Sequence, residues 1–309
     1  MSIKYGNTAI NKIYYGSTEI KKAYYGSTVI FDAISEVLGT PILTNFRVEN
    51  AQPTRVVFDA SASVAGMTTT GFTISGKTIS SITIDGDGLG GYFTVSVAFD
   101  FWDNNTIELD GGNGTVYDFT RVKITNNINE PNFAGADIDV DASGGGDHTT
   151  IQAGINAAST GDKVWVKKGN YSETITSVPS GIKIEGYDTV FGDITTNYLY
   201  DGYSDTTTLS STEMPLVTAP TPGSGTGLSF VGDSGIIVRN LQFQRFDFGI
   251  THSNCSNIQL ERVNVYLCDI GGIDATDRNN NNLRWLQCES YCSFRCGRPY
   301  GDYHLIEDC

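Results

Sequence analysis

The 309 residues carry a formal charge of −15, which argues against nucleic acid or anionic bilayers as partners, because no Lys/Arg face is available to neutralise phosphates. No apolar run approaches the ~18 residues of a membrane span, so insertion into a bilayer as a helix is excluded as well. Length allows about two domains, or three small ones. Only 8 residues are Pro, and stretches of Thr, Ser, Val and Ile alternate with Gly, Asn and Asp clusters, so the fold class is all-β.

The chain opens on three copies of a decapeptide: Tyr5-Gly6-Asn7-Thr8-Ala9-Ile10, Tyr15-Gly16-Ser17-Thr18-Glu19-Ile20 and Tyr25-Gly26-Ser27-Thr28-Val29-Ile30. Tyr14 and Tyr24 double the aromatic in two of them. A strand of about eight residues plus a two-residue turn at Gly-Asn or Gly-Ser fills each period, which predicts a β-meander over residues 1–36. A piece of this size lies below the roughly 40 residues at which a cysteine-free chain sustains its own core. It is therefore expected to dock, with Tyr5, Tyr14, Tyr15, Tyr24 and Tyr25 as the docking side chains. Lys4, Lys12, Lys21 and Lys22 against Glu19 and Asp32 make this head mildly basic beside an acidic body. A solvated strand face accounts for those lysines equally well.

Residues 33–41 form a joint. Seven alternating strands follow within residues 37–127: Ile42–Glu49, Arg55–Ala60, Gly71–Ser75, Ile79–Asp85, Tyr92–Phe99, Thr106–Leu109 and Val116–Thr125. Short strands at this spacing predict a two-sheet sandwich, and the segment resembles bacterial immunoglobulin-like modules in architecture only, since it has no cysteine pair. Trp102, in a turn-rich stretch, is either a corner residue or a sugar-stacking aromatic.

After the polar linker Asn126–Ala136, Asp137, Asp139 and Asp141 alternate as at the start of a calcium loop. Ala142 stands where such a loop needs Gly and His148 where it needs a bidentate Glu, which disfavours that site. No cofactor is expected other than calcium. A helix is predicted over Thr150–Ala158, with Ile151, Ile155 and Ala158 on one face.

The run TTIQAGINAASTGDKVWVKKGNYSE, residues 149–173, resembles the N-terminal cap of pectin-lyase-like right-handed parallel β-helices, in which a short helix plugs the open coil. Residues 128–309 are accordingly expected to be the front part of such a helix. A repeated apolar pattern agrees: Ile236, Val238, Leu241, Phe243; Ile258, Leu260, Val263, Val265; Leu283, Trp285, Cys288, Ser290; and His304, Ile306, Cys309. The starts lie 22, 25 and 21 residues apart, one coil per repeat. Leu241, Val263, Cys288 and Cys309 should form one interior ladder, and an earlier coil carries Ile182, Ile184 and Tyr187. All six cysteines fall between Cys255 and Cys309, so they are expected as reduced core residues rather than a disulfide framework. Thr195–Gly227, rich in Thr, Ser and Pro, is expected to loop out. The last repeat stops at its third apolar position, and the expectation is that further coils follow.

A docking head, a sandwich spacer and a β-helix in this order resemble a bacteriophage tailspike or tail fibre. The decapeptides are similar to short repeats of virion proteins in phages of Bacteroidetes-type hosts. The resemblance implies a homotrimer on a phage tail or baseplate that recognises a host polysaccharide. A polysaccharide depolymerase, with active coils mainly beyond residue 309, is the second reading. A bacterial surface adhesin is the third, disfavoured because the start Met-Ser-Ile-Lys has no apolar export segment.

For hydrolysis two carboxyls must face one sugar linkage. Asp247 and Asp269 recur 22 residues apart, in Phe246-Asp247-Phe248-Gly249 and Cys268-Asp269-Ile270-Gly271, and are the catalytic candidates. They serve equally as turn residues beside glycines. Asp274, Asp277 and Arg278 offer the residue types of a lyase centre, or of a solvated turn.

Overall fold

The computed structural model describes residues 41–109, 121–194 and 214–275 continuously. It also describes strand segments between 4 and 32 and between 281 and 307, and side chains over 41–108, 122–194 and 214–273 together with 285, 286 and 288. The chain divides into two compact units, Met1–Asn129 and Glu130–Cys309. Among the described residues no helix is long and apolar enough to cross a membrane.

In the first unit each decapeptide is a hairpin. Lys4–Tyr5 pairs with Thr8–Ala9, Ile13–Tyr15 with Thr18–Ile20, and Lys22–Tyr25 with Thr28–Asp32. Tyr5, Tyr15 and Tyr25 sit opposite Thr8, Thr18 and Thr28, so each register leaves a two-residue turn at the Gly dipeptide. The described strand segments are two to five residues long. Among the described residues no pairing joins one hairpin to the next.

Two sheets follow in the same unit. Ile79–Ile84, Gly90–Val95, Arg55–Ala60, Leu43–Glu49 and Thr125–Asn127 form the first in that order. Arg121–Lys123, Thr106–Leu109 and Phe72–Ile74 form the second. Pairing is antiparallel except that Thr125–Asn127 runs parallel to Leu43–Glu49. Period-2 alternation sends Val56, Phe58, Phe93 and Val95 inward to meet Phe72 and Ile107. Phe93 lies 5.2 Å from Phe58 and 4.7 Å from Phe72, between ring centroids. Leu43, Phe46 and Val48 keep facing the core because a bulge at Asn45, at φ 57°, absorbs one extra residue. Trp102 is 8% exposed and edge-on to Phe101. It closes a corner that the Asn126 amide fastens to the carbonyls of Asp100 and Asp103, and it offers no open face to a sugar.

The second unit is a parallel β-helix. Its long sheet runs Asp137–Val140, Lys163–Lys167, Lys183–Tyr187, Ser234–Gln244, Ser256–Cys268, Asn281–Leu286 and Leu305–Glu307, each parallel to the next. Ile138, Val164, Ile184, Val238, Leu260 and Trp285 stack as buried rungs, and Ile306 continues their register. Ile236 pairs with Ile258 and Leu283, Phe243 with Val265 and Ser290, and Leu241 with Val263, as the sequence repeat requires. Cys288 is buried beside that ladder with its thiol 3.4 Å from the Leu260 carbonyl. Cys309 lies outside the described residues. Cys255, Cys268 and Cys288 are buried.

A second sheet, unforeseen by the repeat pattern, stacks Thr226–Val231, Phe248–Ser253, Gly271–Ala275 and Arg295–Arg298. The expected outward loop over Thr195–Gly227 is therefore corrected at its C-terminal end. Leu216–Thr218 pairs with Asn170–Ser172 and with Ser234–Gln244, and Thr226 already opens the second sheet. Leu228 and Phe230 drive this return by entering the core. Residues 195–213 lie outside the described residues. Gly227 and Gly249 stand on adjacent rungs of that sheet because a Cβ on Gly227 would strike Phe243, Phe246 and the Gly249 carbonyl, and one on Gly249 would strike Val265.

Each coil bends at single residues in the left-handed region, repeated one coil apart: Gly232 and Asn254, Gly235 and Asn257, Asn240 and Arg262, Arg245 and Leu267. Gly and Asn tolerate this conformation best, and they fill five of these eight positions.

The helix Ile151–Ala157 buries Ile151, Gly154 and Ile155 against the first coil. Thr150 caps it by accepting from the Ala153 N–H at 3.3 Å. Glu173, the last residue of the recognised run, accepts from the Ile151 and Gln152 N–H groups at 2.8 and 2.9 Å. Two of the helix's four orphan donors are thus satisfied by a carboxylate from the next coil. Asp162 ties the following turn in the same way, accepting from Ala136 and Ser159.

Candidate functional site

The coils place Asp247 and Asp269 at one corner. Thr221–Gly225 forms a turn there, held by the Ser224 hydroxyl donating to the Thr221 carbonyl at 2.6 Å. The next coil lies on it: Gly223 N–H donates to the Arg245 carbonyl at 2.8 Å, and the Asp247 N–H donates to the Gly225 carbonyl at 3.0 Å. The coil after that follows, with Asp269 N–H on the Phe246 carbonyl at 2.9 Å and Ile270 N–H on the Asp247 carbonyl at 2.8 Å.

The two carboxylates are offset by one residue rather than directly opposed. Ser234 pairs with Ser256, but Phe248 pairs with Gly271, so the later coil has gained a residue between Leu267 and Gly271. Both acids nevertheless converge on the same turn. Asp247 Oδ2 accepts from the Gly225 N–H at 3.3 Å, and the Asp269 carboxylate lies against Gly223, where a Cβ would strike Oδ2. Gly223 and Gly225, at φ 69° and 72°, hold the turn in a backbone that most residues resist. Asp247 is half-buried and Asp269 exposed, so the corner offers carboxylate acceptors at the solvent boundary. Along the adjoining strands, Ser229 and Thr251 place hydroxyls 3.2 Å apart on successive coils.

The other candidates separate. Asp137, Asp139 and Asp141 are each engaged across coils. Asp137 accepts from Trp165 Nε1 at 2.8 Å, Asp139 from the Tyr187 hydroxyl at 2.6 Å, and Asp141 from Lys167 Nζ at 2.8 Å. The hydrogen bond from Lys167, joined by those from Ser143, holds the Asp141 carboxyl at about 2. Burial, with Asp139 alongside, pushes the Tyr187 hydroxyl well above its ordinary value. These acids tie the first coils together, and among the described residues no cluster of three or more His, Cys, Asp or Glu is positioned to hold a metal.

His252 is buried inside the solenoid, 5.8 Å from the Trp285 ring. Asp274 is in the second sheet, across from Thr251, while Asp277, Arg278 and His304 lie outside the described residues. So do the side chains of Tyr5, Tyr14, Tyr15, Tyr24 and Tyr25, whose backbones lie in the hairpins. The turn Thr221–Gly225 was missed in the sequence because nothing local couples it to residues one and two coils later. The paired Gly223 and Gly225 were its only signal.

No protein-family model matches the chain, and no curated protein matches it. Among solved structures, it is similar to the family 28 exopolygalacturonase of Yersinia enterocolitica at 9% identity, over 87% of this chain and 86% of that one, with a TM-score of 0.23.

Proposed function

We propose that this chain is a surface-glycan-binding protein of the tailspike or tail-fibre type, in which the β-helix takes hold of a polysaccharide and the N-terminal hairpins fasten the molecule to a virion as a homotrimer. The observation that carries the glycan reading is the convergence of Asp247 and Asp269 on the Thr221–Gly225 turn. Carboxylates accept strongly from sugar hydroxyls, and a solenoid repeats its outward groups about every 4.8 Å, a spacing suited to an extended polymer. The tandem hairpins support the fastening reading, since each carries a Tyr at its turn and strands too short to be stable alone.

The same two carboxyls support a second reading, a polysaccharide depolymerase, because an acid and its partner on one corner is the arrangement that glycoside hydrolysis uses. Incubating the full chain with purified capsular polysaccharides separates the two. Binding without released oligosaccharide supports recognition alone. Release that disappears in Asp247→Asn and Asp269→Asn establishes cleavage. Absence of both binding and release removes the glycan reading.

A further inference from the structure

Away from that corner, the turn Asp188–Asp193 carries two exposed apolar side chains, Val190 at 66% and Phe191 at 43%. Phe191 lies flat on Trp165, with ring centroids 4.8 Å apart and planes at 0°, and Tyr187 meets it edge-on at 4.9 Å. One face of Phe191 is thus covered by an indole and the solvent-exposed part of the ring is turned away from it. The arrangement is held rigidly from below. Trp165 is fixed by its hydrogen bond to Asp137, and Tyr187 by its bond to Asp139. The turn itself is pinned by the Asp193 carboxylate, which accepts from the N–H groups of Asp188, Thr189 and Val190 at 2.8 to 3.0 Å.

We propose that Phe191, backed by Trp165, is a stacking platform for a neutral pyranose ring, a second contact for the glycan that the Asp247–Asp269 corner is read as binding. An aromatic face is electron-rich and attracts the polarised C–H groups on the apolar face of a hexose. Because turn and rings are already ordered, little conformational entropy is lost on binding. The ion pair of Lys168 with Asp188 at 2.6 Å supplies polar groups at the rim for ring hydroxyls. The net charge of −15 favours a neutral sugar over a uronate. A second copy of this chain is the poorer occupant, since two side chains fall far short of the ~800 Å² per partner of a stable interface. The inference rests on the glycan reading, and its test keeps the two apart.

The experiment is saturation-transfer NMR on the full chain with methyl β-galactoside, methyl β-glucoside, methyl α-mannoside and methyl β-N-acetylglucosaminide, with irradiation of the aromatic protons. The expected result is transfer to the C–H protons of one sugar face for at least one glycoside. In Phe191→Ala the affinity falls about three- to tenfold, as the scale of stacking predicts, and in Phe191→Tyr it is retained. Asp247→Asn/Asp269→Asn should leave this signal intact, so loss of polymer binding in that variant alone tests the corner and not the platform. The proposal is overturned if no glycoside shows transfer, if Phe191→Ala matches the wild type, or if Phe191→Ala instead abolishes a concentration-dependent self-association.

Discussion

Glu173 shows how one side chain can couple two coils. Its carboxylate spans the first two free N–H groups of the helix, and truncation to Ala leaves both facing a partly buried site. Glu173→Ala should cost about 1–2 kcal/mol in denaturant unfolding, while Glu173→Gln, which keeps one acceptor, should cost about half of that. The Glu was legible as part of a resemblance, but its job was not, because the helix it caps lies some twenty residues earlier. Two aspartates contribute to the response to acid. Asp141 is held at about 2 by Lys167 and Ser143. Asp193 is also held at about 2; burial there pushes upward, but the hydrogen bonds from the 188–190 backbone and from Thr189 outweigh it. Both lie below the ordinary 3.8, so their stabilisation is complete above about pH 4 and is lost as pH falls from there through about 2. Urea titrations from pH 6 to 2 should show this decline, and Asp193→Asn should flatten it. A variant curve that falls as steeply as the wild type would contradict the assignment.

At the scale of the element, the coils owe their shape to bends and close approaches rather than to strand propensity. Gly249→Ala forces a methyl into Val265 and should cost about 1–3 kcal/mol. Along the outer face of the long sheet, Arg239 bridges Glu130 and Glu261, each at 2.5 Å, and all three side chains are no more than 26% exposed. Arg239→Met would leave Glu130 with Lys183 and Glu261 with Arg262 as their remaining cations, so the loss of two charged hydrogen bonds should cost about 2 kcal/mol. The long sheet was legible because inward residues repeat at coil spacing. The second sheet was not, because Gly227, Gly249 and Gly272 occupy one of its inward rows and give no apolar signal. The sandwich strands were legible from alternation, except where the bulge at Asn45 shifts the phase and where the end of the one strand expected over Val116–Thr125 divides into Arg121–Lys123 and Thr125–Asn127, in different sheets. Likewise, the stack of Phe191 on Trp165 joins residues of successive coils, and only the register brings them together.

At the scale of the whole molecule, two claims concern assembly and chemistry rather than fold. The hairpins are read as a fastener. Replacing Tyr5, Tyr15 and Tyr25 together with Ser in the full chain should convert a trimer into a monomer in sedimentation, and a wild-type monomer would dismiss that reading. The charge of the chain and its all-β build were legible from composition. The corner that gathers Asp247 and Asp269 was only half legible, since the residues were visible but the extra residue that offsets them was not. The most direct measurement is the affinity of the full chain for purified bacterial capsular polysaccharides, with wild type and Asp247→Asn/Asp269→Asn side by side and equal melting temperatures as the control. A polysaccharide bound by the wild type should be held at least about tenfold more weakly by the double variant, as the loss of charged acceptors requires. Equal affinity in the two proteins, or binding by neither, would contradict the account.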